Sequence, residues 1–231
     1  MALFESGNPT LSEKMFDKVG HAQANEAGTM SVRGTMNKFG LMLIGVIAGA
    51  GYTWHLIDQN NPSLAQTLMI VGVIGGLITA LAITFKPNWA PALAPAYAIL
   101  EGLFLGAISK VFNDAFYPGI VVQAVGLTFG VAVAMFLLYN FRIIKPTEKF
   151  RSMIMSAMLG IAIFYLLTWV LGLFGVDVSF VRDNSMLSIG ISLFIVAIAA
   201  LNLILDFDMI EQGAQRGAPK FMEWYAAFGL M

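Results

Sequence analysis

The chain has no cysteine, which excludes disulfides, thiolate chemistry and cysteine-based metal sites. Histidine is nearly as scarce. His21 and His55 stand in unrelated contexts, and a histidine-ligated metal has little support. Charge is thin as well: Asp, Glu, Lys and Arg make up 12% of 231 residues, against about 25% in an average soluble domain. The formal net charge of −1 provides no basic surplus for phosphates, which argues against a nucleic-acid partner. Catalytic motifs are missing too. There is no HExxH, no GxSxG and no catalytic histidine within a span. Asp206 and Asp208, two residues apart on one helix, do not form the facing pair an intramembrane aspartyl protease needs. No enzyme activity and no cofactor are expected.

Apolar residues fill the space that charge leaves. They account for 58% of the chain, and the mean hydropathy is +0.77. Six runs are long enough to cross a bilayer, which takes about 20 helical residues; they lie near 39–57, 65–85, 89–111, 117–140, 152–175 and 186–209. A seventh begins at about Phe221 and reaches Met231 after eleven residues. At 1.5 Å per residue that is about 16 Å, half the hydrocarbon thickness, and it reads as the opening of a further span. The expected fold is therefore an all-α polytopic membrane helix bundle of six full spans plus the start of a seventh. Residues 1–37 form a tail and 38–231 the transmembrane domain.

The tail is polar and lacks a cleavable signal, so the first span is expected to serve as an uncleaved one. Thr10 and Glu13 have capping-box spacing. Leu11, Met15 and Val19 would share a face able to lie on the membrane surface, a mobile tail being the alternative. Gly20 to Gly34 reads as linker. Of the thirteen Lys and Arg, eleven fall on one side: Lys14, Lys18, Arg33, Lys38, Lys86, Arg142, Lys145, Lys149, Arg151, Arg216 and Lys220. Only Lys110 and Arg182 fall on the other. By the positive-inside rule the N-terminus is cytoplasmic. Trp54, Trp89 and Trp224 sit near span ends, where amphipathic rings favour the interface. Glycines four apart (Gly72 and Gly76, Gly102 and Gly106, Gly126 and Gly130) provide the close backbone approach that holds helices together in lipid.

Polar residues within the spans are few, and an ionisable group at that depth marks a functional site by default. Glu101 lies near the middle of span three. Asn202 and Asp206 are four apart and share a face of span six, while Asp208 points elsewhere and sits with Glu211. Counting 1.5 Å per residue from the span ends puts Glu101 about 18 Å deep and Asp206 about 6 Å deep. The gap of about 12 Å argues against a direct bond. Each acid also has a structural reading: a satisfied carboxyl for Glu101, and an interfacial cap or ion pair to Arg216 or Lys220 for Asp206 and Asp208. A buried carboxyl titrates above its usual range and can hold a proton or a hard cation such as Ca²⁺.

The stretch Ala94-Pro-Ala-Tyr-Ala-Ile-Leu-Glu-Gly-Leu-Phe-Leu-Gly-Ala-Ile-Ser109 closely resembles the Tyr-Ala-x-x-Glu-Gly-x-x-Leu-Gly-x-x-Ser signature of the Bax inhibitor-1 (YccA-like) membrane proteins. Asn8-Pro-Thr-Leu-Ser and Met30-Ser-Val-Arg-Gly-Thr-Met-Asn-Lys38 resemble the start of its bacterial branch. Leu205-Asp-Phe-Asp-Met-Ile-Glu and Gly217-Ala-Pro-Lys-Phe-Met-Glu-Trp-Tyr continue the pattern. The resemblance implies a seven-helix bundle with the last helix central, located in the inner membrane, acting as a pH-modulated Ca²⁺ leak. It also implies a proton-sharing pair of aspartates. Asp206 matches the span-six member, because Ile210 follows four residues on, and Asp208 is the second choice. The span-seven position falls on Ala227, and the basic latch of span two has no counterpart between Ala65 and Phe85. Asp206 is thus the expected gate carboxylate and the residue to meet Ca²⁺, with Glu101 as a separate station. The rival expectation is a non-conducting protein that docks on a membrane protease or another membrane complex.

Overall fold

The computed structural model describes residues 28–174 and 185–231. The Thr10–Glu13 cap, the face of Leu11, Met15 and Val19, His21 and Arg182 all lie outside these residues. Among them seven α-helices follow in order: α1 Val32–Asp58, α2 Pro62–Phe85, α3 Ala90–Ala115, α4 Ile120–Asn140, α5 Glu148–Leu173, α6 Met186–Gln215 and α7 Met222–Gly229. The first six are long and apolar enough to cross a bilayer. Hydrocarbon offers no partner to backbone N–H and C=O groups, and a helix satisfies them within one segment. The chain is an all-α, multi-pass membrane protein.

Several helices run past the apolar stretches. α1 begins at Val32 rather than residue 39, so the end of the presumed linker is helical. Ser31 explains this, because its side chain caps α1 by accepting the Gly34 N–H at 3.0 Å. Thr147 does the same for α5, accepting the Phe150 N–H at 3.2 Å. Caps are polar residues placed before the apolar run, so hydropathy alone starts the helix too late.

The chain divides into two compact units, each described by itself. The larger contains, among the described residues, 28–129 and 209–231. Here α3 packs against both α1 and α2, and glycine sets the approach. A Cβ at Gly49 would lie 2.6 Å from the Ile99 carbonyl oxygen, and one at Gly72 the same distance from that of Leu100. A Cβ at Gly102 would run into the Val46 backbone, and one at Gly106 into Ala50 and Thr53. Gly72, Gly102 and Gly106 thus serve the close approach expected of them, and Gly49 of α1 does the same. Gly126 and Gly130 do not: a Cβ at either would meet nothing within 4 Å among the described residues.

The short helix α7 packs on α1 and α3. Its Met222, Tyr225, Ala226 and Ala227 are wholly buried in a core shared with Met42 and with Ala90, Ala94 and Ala98 of α3. Those alanines recur every fourth residue and leave a shallow ridge that lets α7 come close. The backbone before α1 pairs with the loop before α7. Met30 N–H donates to Ala218 C=O at 2.7 Å, Lys220 N–H donates to Gly28 C=O at 3.1 Å, and Thr29 and Pro219 form an antiparallel bridge.

The smaller unit contains, among the described residues, 130–174 and 185–208. Ile154, Ile198 and Leu205 form its core with Phe150, Met158 and Leu201 against them. Phe136 meets Phe207 edge-on at 5.5 Å. Around both units large apolar side chains point outward, with Ile44, Leu77, Val122 and Leu193 each at least 60% exposed. Water would not tolerate so much apolar surface, and lipid covers it.

Candidate functional site

Among the described residues, polar clusters stand out against the apolar helices. The densest is around Glu223, in the first turn of α7 and outside the six spans. Its side chain has no exposure to solvent. Oε1 accepts the backbone N–H and the hydroxyl of Ser31, each at 2.9 Å, and the Lys220 ammonium at 2.8 Å. Oε2 pairs with Lys38. Burial alone would push the carboxyl up, but the bonds from Lys220, Lys38 and Ser31 outweigh it and hold Glu223 down to about 2. Gly34 makes room, since a Cβ there would overlap the carboxylate. Lys38 also lies over the Trp224 ring at 5.5 Å. One buried anion therefore joins the first turns of α1 and α7.

At the far end of α1, Lys110 of α3 pairs with Asp58 at 2.8 Å and Asp114 at 3.0 Å. Its ammonium lies 5.4 Å from the Trp54 ring centre. Trp89 likewise carries Lys86 at 4.4 Å. The tryptophans at the span ends are thus held by cation–π contacts.

Glu101 sits on α3, partly buried. Tyr97, one turn earlier, interacts with its carboxylate, and Oε2 lies near Gly76 of α2, where a Cβ would make only an ordinary contact with it at 3.6 Å. Tyr97 meets Phe228 of α7 edge-on at 4.9 Å. The Tyr225 hydroxyl is buried with no hydrogen-bond partner among the described residues. Ala227, at the position where a second aspartate would be needed, is wholly buried in the same apolar core.

The smaller unit holds the other candidates. Asp206 is 4% exposed, and Asn202 Nδ2 donates to its Oδ2 at 3.2 Å, as their spacing on one helix face requires. The Asn202 carbonyl oxygen is buried and accepts no hydrogen bond among the described residues. Asp208 pairs with Arg151 at 3.0 Å and receives the Tyr139 hydroxyl at 3.5 Å. The reason is geometric: Arg151 stands one turn into α5 and is itself 8% exposed, so its guanidinium is presented to α6. In the larger unit Arg216 donates to Gln212 and Lys220 pairs with Glu223.

The structure thus brings Asn202 to Asp206, Arg151 to Asp208, and Tyr97 to Glu101. Among the described residues no three His, Asp or Glu side chains cluster so as to hold a metal ion. Glu223 escaped the reading of span interiors because it falls at the start of the short seventh run and not inside one of the six full spans. Its signal was available: an acid in the opening turn of a short helix, with a lysine three residues earlier. The third partner, Lys38, is 185 residues away and no local pattern points to it.

Residues 8–231 match the sequence model of the family described as Bax inhibitor 1 like. No curated protein and no solved structure matches the chain.

Proposed function

Because the chain belongs to the Bax inhibitor 1-like family, we propose that it is a pH-modulated cation leak, with Ca²⁺ among the ions passed and Asp206 as gate carboxylate. In this reading it resides in the inner membrane with a cytoplasmic N-terminus, acts without an enzymatic step, and belongs to the bacterial, YccA-like branch.

One observation supports the choice of Asp206 above the others. It is a buried carboxylate beside an amide whose buried carbonyl oxygen accepts no hydrogen bond among the described residues. A Ca²⁺ ion needs six to eight oxygen ligands. Asp206 and Asn202 supply only a few of these, so a passing ion keeps much of its water and binds weakly enough to leave, as conduction requires. Protonating Asp206 removes the charge that attracts the ion, which couples flux to pH. Asp208 is less suited, because Arg151 already balances its charge. Glu101, held by Tyr97, serves as a separate station or as a structural acid of the bundle.

Reconstituted full-length protein tests this. Ca²⁺ efflux from liposomes should vary between pH 5 and 8, and Asp206→Asn should flatten the profile with the protein still folded. A wild-type protein that passes no Ca²⁺ at any pH in that range would end the channel reading and favour the docking alternative. An Asp206→Asn profile identical to wild type would remove Asp206 from the gate.

A further inference from the structure

We propose that α7 is a movable element that sets the accessibility of the Glu101 carboxyl, and that the charges around Glu223 clamp it in its docked position. Tyr97 is the link. It interacts with the Glu101 carboxylate one turn further along α3, and its ring meets Phe228 of α7 edge-on at 4.9 Å. Phe228 stands five residues beyond Glu223 on a helix of eight. So short a helix moves as one piece, and a shift at its first turn reaches Phe228 and then Tyr97.

The docked position is both held and opposed. Glu223 accepts from Ser31 and pairs with Lys38, both at the start of α1, and these contacts form only when α7 is docked there. Lys220, on the approach to α7, completes the clamp at 2.8 Å. Against it stands Tyr225. Its side chain is wholly buried, and its hydroxyl has no hydrogen-bond partner among the described residues. A buried hydroxyl left unpaired is unfavourable, and movement of α7 would let it reach water or an acceptor. The core that α7 shares with α3 is also built from small side chains, Ala226 and Ala227 with Ala90, Ala94 and Ala98, which provide few dispersion contacts. A few strong contacts therefore hold α7 against an unpaired group, which is the make-up of a two-position element. The proposal builds on Glu101 as a station of the leak, but its test reads the carboxyl and not ion flux.

The test is labelling of full-length protein in detergent, at one fixed pH, with dicyclohexylcarbodiimide, an apolar reagent that adds to protonated carboxyls. Peptide mass spectrometry gives the rate at Glu101. Glu223→Gln should raise that rate by about tenfold, the equivalent of one lost hydrogen bond to a charged group. Lys220→Gln, at a side chain 47% exposed, should raise it by about threefold and carries the test if Glu223→Gln does not fold. Adding Tyr225→Phe to either variant removes the unpaired hydroxyl and should lower the raised rate by about fivefold. On a Tyr97→Phe background, Glu223→Gln should change the rate by less than about twofold, because the link to Glu101 is already cut. Ile154→Ala opens a cavity in the core of the smaller unit; it should lower the melting temperature and leave the Glu101 rate unchanged. Equal rates in wild type and the clamp variants overturn the proposal, as does a rise of the same size with Ile154→Ala. So does a Tyr225→Phe change that speeds labelling, since the hydroxyl would then be holding α7 in place. A full Glu223→Gln effect without the Tyr97 hydroxyl overturns the assigned route.

Discussion

Replacing Glu223 by Gln removes one charge from a site that is wholly enclosed and leaves its shape intact. The amide oxygen can still accept from the Ser31 N–H and hydroxyl, now at 2.9 Å each. Lys38 and Lys220 lose their counter-charge. The cost follows from linkage. A carboxyl held at about 2 in the folded protein, against 4.5 when released, corresponds to about 3 kcal/mol. Lys220 is 47% exposed, and solvent screens its share, which reduces the figure to about 2 kcal/mol. For a chain of this size that is a fall of about 4–8 °C in melting temperature at pH 7. The sign fixes the pH window. A depressed folded pKa stabilises the protein fully above about 4.5, and the benefit is lost as pH falls toward 2. Melting curves of the detergent-solubilised protein, read by tryptophan fluorescence between pH 7 and 3, should therefore show wild type and Glu223→Gln converging at the acid end. A gap that stays constant with pH would locate the loss in packing rather than charge, and no gap at pH 7 would sink the argument.

Other perturbations should separate contacts that matter from those that do not. Gly102→Ala places a methyl against the Val46 backbone and should cost about 1–3 kcal/mol by overpacking, measured as a lower melting temperature. Gly126→Ala meets nothing and should be neutral or gain up to about 1 kcal/mol in helix propensity; equal losses in the two would overturn the packing assignment. Asp208→Asn takes from the buried Arg151 guanidinium its nearest counter-charge, with Glu148 left at 4.0 Å, and should destabilise by about 3 kcal/mol, whereas Asp208→Leu with Arg151→Met should recover much of that. A double variant no better than the single would mean that the pair does more than balance charge.

Much of the fold was legible because the bilayer requires it. A run of about 20 apolar residues has one stable form in hydrocarbon, so the six spans could be read from composition along the chain. What local composition could not supply were the helix starts at Ser31 and Thr147, since a cap is a polar residue that hydropathy counts as loop. The spacing of Asn202 and Asp206 on one helix face was enough to pair them. It was not enough for Asp208, whose two nearest downstream cations, Arg216 and Lys220, are plausible by sequence distance alone. Its partner is Arg151, 57 residues back.

The glycine pairs show the same limit from another direction. Gly102 and Gly106 read no differently from Gly126 and Gly130, yet only the former lie where a neighbouring backbone leaves no room for a methyl. By itself the sequence determined the secondary structure, the number of full spans and which polar residues are rare enough to matter, since each of these depends on a single segment in lipid. Only the tertiary structure decided the pairing of charges. Glu223 finds Lys38 and Ser31 from the other end of the chain because α7 packs on α1, and α7 packs there because Gly34 and the alanines of α3 leave the space.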